Sequence, residues 1–164
     1  MNFERQNEPI DDAKINGFEV TRVLRLPADY RAFLLKCNGG RPDDSNAFLQ
    51  VQGLNLLSIE EIYGITSNPL NSIEDDPYNN FSAYIHSHLL QIAYTGSQGI
   101  YMDLREGPTH GKIYILARPA NETLKVDDAG FQDEDDYEEA LFLHPVANNF
   151  SEFVAMLGPD PNEA

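Results

Sequence analysis

The chain has 164 residues, 27 acidic and 11 basic, for a formal net charge of −16. Such a length points to one domain, expected over residues 1–164 with loose tails at 1–9 and 159–164, and a domain of that size buries roughly 70% of its unfolded surface without disulfides or metals. The charge repels nucleic-acid phosphates and anionic lipid, so nucleic acid and membrane are set aside as partners and a basic protein is favoured, with plain solubility as the rival explanation of the acidity.

Taken in order, MNFERQNEPIDDAK has no apolar h-region, so no signal peptide is expected. No apolar run approaches the ~20 residues of a membrane span, and the expected location is cytoplasmic. From Ile10 to Val23 the apolar positions Ile10, Ala13, Phe18, Val20 and Val23 predict a first helix, with Asp11 and Asp12 placing acid in its first turn. Leu26–Gly40, LPADYRAFLLKCNGG, repeats the pattern more sharply. Leu26, Tyr30, Phe33, Leu34 and Cys37 share one helical face, Pro27 suits the first turn, and Asn38-Gly39-Gly40 accepts the left-handed backbone that ends a helix. Cys37, the single cysteine, excludes an internal disulfide and reads as a buried inert thiol on that face. The two helices are expected to pair over one face of a sheet.

RPDDSN then forms a turn, and Ala47–Val51 a strand. Leu54–Ile65 reads as a second strand or a short helix; the capping-box spacing of Ser58 and Glu61 argues for a helix over Ile59–Tyr63. Asn68–Asn80 is a loop by composition, and Phe81–His88 fits either periodicity. LLQIAYT and QGIYMDL, separated by Gly96-Ser97-Gln98-Gly99, predict a hairpin, and GPTHG leads from it into KIYILAR, completing a three-stranded meander at the centre of the sheet. GSQG links two strands rather than opening a helix, which removes a phosphate-cradle reading. Val126–Glu139 carries many carboxylates and no Lys or Arg. Leu141–Val146 reads as a last strand or a lead-in. Asn148 or Asn149 caps a final helix burying Phe150, Phe153, Val154 and Leu157, which Gly158-Pro159 ends.

No catalytic residues are assigned. His86, His88, His110 and His144 form no recognised zinc spacing with Cys37, HExxH and CxxC are absent, and no Ser lies in a G-x-S-x-G elbow. The acidic run lacks the alternation and glycine of a calcium-binding EF-hand. No metal and no cofactor is expected. The remaining reading is protein recognition: an acidic surface steers a basic partner and occupies a cleft built for phosphates. The partner-binding residues assigned are Asp127, Asp128, Asp133, Glu134, Asp135, Asp136 and Tyr137. Tyr137 and Phe131 serve either as desolvated anchors or as pins holding the loop to the sheet.

The pattern LP-x-D-Y-x-x-F-L-L-x-x-N-G-G, followed by Leu89–Leu104, Gly111–Leu116 and Val146–Leu157, resembles the SUKH superfamily. That family includes a yeast cell-wall regulator and many bacterial immunity proteins against polymorphic toxins. It often carries a Trp after the Gly-Lys strand, where this chain has RPANETL. The resemblance implies an α+β fold, a curved, mainly antiparallel sheet flanked by helices. It also implies a non-enzymatic binding protein, an immunity protein neutralising a cognate toxin; the acidity adds that the toxin is basic, as a nuclease is. A regulatory or scaffold module of the yeast type is the alternative.

Overall fold

The computed structural model describes residues 1–68, 72–73, 88–117 and 142–162. Its framework begins with two helices whose ends are set by local chemistry. Helix α1 (Asp12–Arg22) starts where the Asp11 carboxylate accepts a hydrogen bond from Lys14 N at 2.9 Å, relieving one of the unpaired donors of the first turn. Helix α2 (Ala28–Lys36) follows Pro27 and ends at Cys37. Asn38 and Gly39 then take left-handed φ values of 49° and 74°, and the chain turns at once into a strand. Cys37 is therefore a half-buried cap rather than part of the helix interior.

Among the described residues ten strands form two sheets. The larger has seven strands in the order β1 (Phe3–Gln6), β2 (Gly40–Pro42), β5 (Glu61–Ile62), β6 (Leu89–Tyr94), β7 (Gly99–Asp103), β8 (Ile113–Ala117) and β9 (Phe142–Ala147). All its named pairings are antiparallel. The smaller has three, in the order β10 (Leu157–Gly158), β3 (Phe48–Leu49) and β4 (Leu57–Ser58). With α1, α2 and a short helix α3 (Phe150–Ala155), this is an α+β fold. The meander expected from LLQIAYT, QGIYMDL and KIYILAR is present as β6–β7–β8, in register Tyr94↔Gly99 and Ile100↔Ile115. Gly96 provides its tight turn at φ 78°.

Three expectations are corrected, and the first helix, which is present, turns part of its apolar set outward. Ile59–Tyr63 is not a helix: Glu60 N donates to Tyr94 O and Tyr63 N to Ile92 O, so pairing with β6 overrides the Ser58–Glu61 capping spacing. Residues 1–9 include β1, paired with β2 through Phe3↔Pro42 and Gln6↔Gly40. Leu157 and Gly158 leave the final helix to form β10 against β3. In α1 the buried side chains are Ile15 and Phe18, whereas Ala13, Val20 and Val23 face outward.

The core joins these elements in one apolar cluster, including Tyr30 and Leu34 from α2, Ile62 from β5, Ile92 from β6, Ile100 and Met102 from β7, and Phe150 and Phe153 from α3. Each such side chain contributes about 1.5–3 kcal/mol on full burial. Helix α2 meets α3 through rings: Phe150 lies 4.7 Å from Tyr30 and 4.8 Å from Phe33 between centroids. The Asp29 carboxylate accepts from Ser151 N at 2.9 Å, holding the start of α3 against the start of α2. Asn149 is the cap of α3, its side chain accepting from Glu152 N. Burial without a charged partner pushes the Tyr30 hydroxyl pKa up, and that hydroxyl donates to Tyr63 O, tying α2 to the stretch after β5.

Candidate functional site

The end of α1 is unusual. Leu24 N donates to Glu19 O, and Val23 N donates to Val20 O, the paired closure of a Schellman motif. Its left-handed position is ordinarily glycine. Here it is Val23, at φ 55° and ψ 46°, and the left-handed backbone costs a side-chain-bearing residue about 1–2 kcal/mol. A β-branched residue in that region is a genuine outlier. Val23 gains nothing from the core in return, since it is 91% exposed, and Val20 one turn earlier is 78% exposed. Two exposed apolar side chains thus stand together at the end of α1, one of them on a strained cap.

Behind this cap runs an open groove of about 1160 Å³. One wall is the second half of α1 and the link to α2, including Glu19, Val20, Arg22, Val23, Leu24 and Arg25. The opposite wall is the start of β6, His88–Gln91, with Leu104, Glu106 and His110 from the turn after β7. Tyr63 and Tyr101 also line it. The side chain of Gln91 links these two tyrosines: its amide donates to the Tyr63 hydroxyl, and the Tyr101 hydroxyl donates to its carbonyl, both at a long 3.4 Å.

The walls are braced from both ends. Arg31 of α2 reaches back to α1, pairing with Glu19 at 2.9 Å and with Asp12, and donating to Asn16. Glu19 also accepts from Leu26 N at 2.8 Å, so one carboxylate fixes the link between the helices. On the other side His110 Nε2 donates to Arg25 O at 3.0 Å. The His110 turn is itself organised by Asp103, which is fully buried and accepts from Arg105 N, Nε and Nη2. Burial opposes the Asp103 charge, but hydrogen bonds from Arg105 and Thr109 outweigh it and hold the carboxyl below its ordinary pKa.

The groove is therefore a braced frame with exposed apolar side chains and arginines along its first wall. Among the described residues no group of three or more His, Cys, Asp or Glu is placed to hold a metal ion, and no helix is long and apolar enough to cross a membrane. The partner-binding residues assigned from sequence, Asp127, Asp128, Asp133, Glu134, Asp135, Asp136 and Tyr137, lie outside the described residues, as do Phe131 and His86. What flanks the acidic run is described: Ala117 pairs with Phe142. Since Ile115 lies opposite Ile100 and Tyr94 opposite Gly99, that pair sits at the hairpin-turn end of the sheet. The groove opens at the other end, marked by His88 and Leu104.

Sequence reasoning missed the groove because its walls come from segments far apart in the chain. One local signal was present: α1 ends in Arg22-Val23-Leu24, with no glycine or asparagine where a helix ordinarily finds one. Compared with known proteins, the chain matches the family described as SMI1 / KNR4 family (SUKH-1) over residues 9–156. No curated protein matches it.

Proposed function

From the premise that the chain belongs to the SMI1 / KNR4 (SUKH-1) family, we propose that it is a non-enzymatic protein-binding domain of the immunity type, which neutralises a cognate bacterial toxin. The observation that carries the reading is the mouth of the groove, where Val20 and Val23 are held in solvent, Val23 at a cost in backbone strain. Exposed apolar anchors beside a polar rim are what a specific protein interface requires. The net charge of −16 adds the character of the partner. It favours encounter with a basic protein such as a nuclease and disfavours acidic ones. In this reading Asp127, Asp128, Asp133, Glu134, Asp135, Asp136 and Tyr137 supply the field that steers the partner inward.

The test is growth rescue. The immunity reading expects a toxin gene beside this chain's own; cells producing that toxin domain are expected to survive only when the chain is co-produced, and the two proteins to co-purify. The double variant Val20→Asp, Val23→Asp, whose changes fall on exposed side chains, is expected to fold and to lose rescue. Failure of the wild-type chain to rescue or to co-purify overturns the immunity reading; full rescue by the double variant moves the interface away from the groove.

A further inference from the structure

Among the described residues the lining of the groove carries a charge opposite to that of the chain: three arginines, Arg22, Arg25 and Arg31, stand against two carboxylates, Glu19 and Glu106, in a protein with more than twice as many acidic as basic residues. Arg31 is committed to Asp12 and Glu19. Of the other described arginines, Arg5 pairs with Glu61, Arg41 with Glu4 and Arg105 with Asp103. Arg22 and Arg25 alone among the described arginines make no side-chain ion pair or hydrogen bond. They flank Val23 on the strained cap and face the groove beside it. In so acidic a chain a guanidinium has carboxylates in excess to choose from, so two that stay unpaired on either side of an exposed apolar anchor are available to a visitor. Arginine suits that role, because its planar fork grips a carboxylate through two parallel hydrogen bonds.

We propose that the groove takes an extended segment of the partner polypeptide that is acidic and apolar, its carboxylate held by Arg22 and Arg25 and its apolar side chains packed on Val20 and Val23. This rests on the protein-binding reading and names the chemistry of the bound strip. A whole acidic protein is repelled by the charge of the chain, so the acid is a local strip on a partner whose body is neutral or basic. The two charges then have separate tasks. The global field sets the encounter rate, and the arginine pair sets register and residence. The size of the groove, about 1160 Å³, is above the ~300–1,000 Å³ usual for small-molecule sites, which favours a length of chain over a metabolite.

The test uses the full chain and a defined probe. Amide chemical shifts are followed by NMR while acetyl-Leu-Asp-Phe-Glu-Leu-amide is added to millimolar concentration, and in parallel its counterpart with lysine at both charged positions. The acidic peptide is expected to shift amides of residues 20–26 and 88–91, and the lysine peptide to bind roughly tenfold more weakly or not at all. Arg22→Glu with Arg25→Glu is expected to abolish that preference. Lys36→Glu with Lys112→Glu makes the same change in charge elsewhere and is expected to keep it. Equal binding of the two peptides, a preference that survives the arginine reversals, shifts confined to other elements, or no shifts at all would each overturn the proposal. Shifts that appear only after Glu74→Gln, Asp75→Asn and Asp76→Asn would assign the groove to the chain's own acidic stretch, and overturn an external occupant. Growth rescue without any peptide preference removes the acidic strip and leaves protein binding standing. Peptide preference without rescue removes immunity and leaves the chemistry of the groove.

Discussion

Asn38 and Ile65 exchange two hydrogen bonds: Ile65 N donates to the Asn38 side-chain carbonyl at 2.9 Å, and the Asn38 amide donates to Ile65 O at 3.0 Å. The same amide also donates to Glu8 O at 2.8 Å. One buried side chain thus closes α2 and clamps both the segment after β1 and the segment after β5. Asn tolerates the left-handed backbone that this place requires. Asn38→Ala leaves the buried N–H and C=O of Ile65 unsatisfied, at ~1–3 kcal/mol each before relaxation, together with the part-buried Glu8 carbonyl, and is expected to destabilise by about 2–5 kcal/mol. Asn38→Gly, which relieves the left-handed strain, is expected to be less damaging than Ala. Urea denaturation of both variants beside the parent checks the order; equal stabilities of the two would mean that the left-handed strain contributes little, and variants as stable as the parent that the hydrogen bonds do.

That clamp explains what was legible in the sequence. Asn38-Gly39-Gly40 announced a stop because backbone conformation is a local property of residue type. The reason for the stop was not legible: a Cβ at Gly39 would run into the backbone of Ile62 and Tyr63, residues brought there only by the folded sheet. The same division holds elsewhere. Gly96 marked the β6–β7 turn, whereas β5 was misread because the spacing of Ser58 and Glu61 is a local cue and the bonds from Glu60 and Tyr63 to β6 are not. The outward face of α1 was lost for a related reason. Periodicity identifies apolar positions, and Val20 and Val23 are apolar without being buried.

Core packing gives a graded prediction along α2. Leu34 is fully buried, so Leu34→Ala is expected to cost about 2–5 kcal/mol. Phe33 is only partly buried, packed beside Phe3, Tyr30 and Phe150. Phe33→Ala is therefore expected to fall below the ~3–5 kcal/mol of a fully buried ring. Thermal melts of the two variants test the gradation; a Leu34→Ala protein with an unchanged midpoint would contradict the packing of α2.

Val23 provides a trade between stability and binding. Val23→Gly removes a side chain from a left-handed position, and the ~1–2 kcal/mol saved exceeds the ~0.5–1 kcal/mol that glycine loses to backbone entropy. The variant is expected to be as stable as the parent or slightly more so, while toxin rescue and co-purification weaken. A variant that is clearly less stable would show that the cap is not strained; one that is more stable with undiminished rescue would show that the exposed methyls are not a contact.

Asp103 predicts part of the acid limb of stability. Its carboxyl is held below the ordinary value in the fold, and an unfolded Asp titrates near pH ~3.9. The stabilisation is thus fully present above that unfolded pKa and is lost as pH falls through the lower folded one. Asp103→Asn is expected to destabilise at neutral pH and to make the decline below about pH 4 shallower. Asp43, which accepts from Ser45 and Asn46, is shifted the same way, so Asp43→Asn serves as the comparison on an exposed turn. Denaturation at a series of pH values separates them, and an Asp103→Asn curve parallel to the parent's would remove Asp103 from the limb.

The division between encounter and residence is tested by kinetics with the cognate toxin. Reversing Asp133, Glu134, Asp135 and Asp136 to Lys is expected to lower the association rate steeply at low salt and to leave dissociation nearly unchanged, because charges beyond ~8 Å are screened at physiological ionic strength. Reversing the exposed acids Glu4, Glu8, Asp44 and Glu60 makes the same change in net charge on other elements. If the run at Asp127–Tyr137 touches the partner, the first variant slows more than the second and also dissociates faster. If the run is only part of a diffuse field, the two variants slow equally. Arg22→Glu with Arg25→Glu is the third arm. It makes the chain more acidic, so a steering effect alone predicts faster association with a basic toxin. The groove reading predicts that this gain is overtaken by faster dissociation. Stopped-flow association and dissociation at several salt concentrations resolve the three, and an arginine variant that binds the toxin more tightly at every salt concentration would show that the pair does not hold the partner.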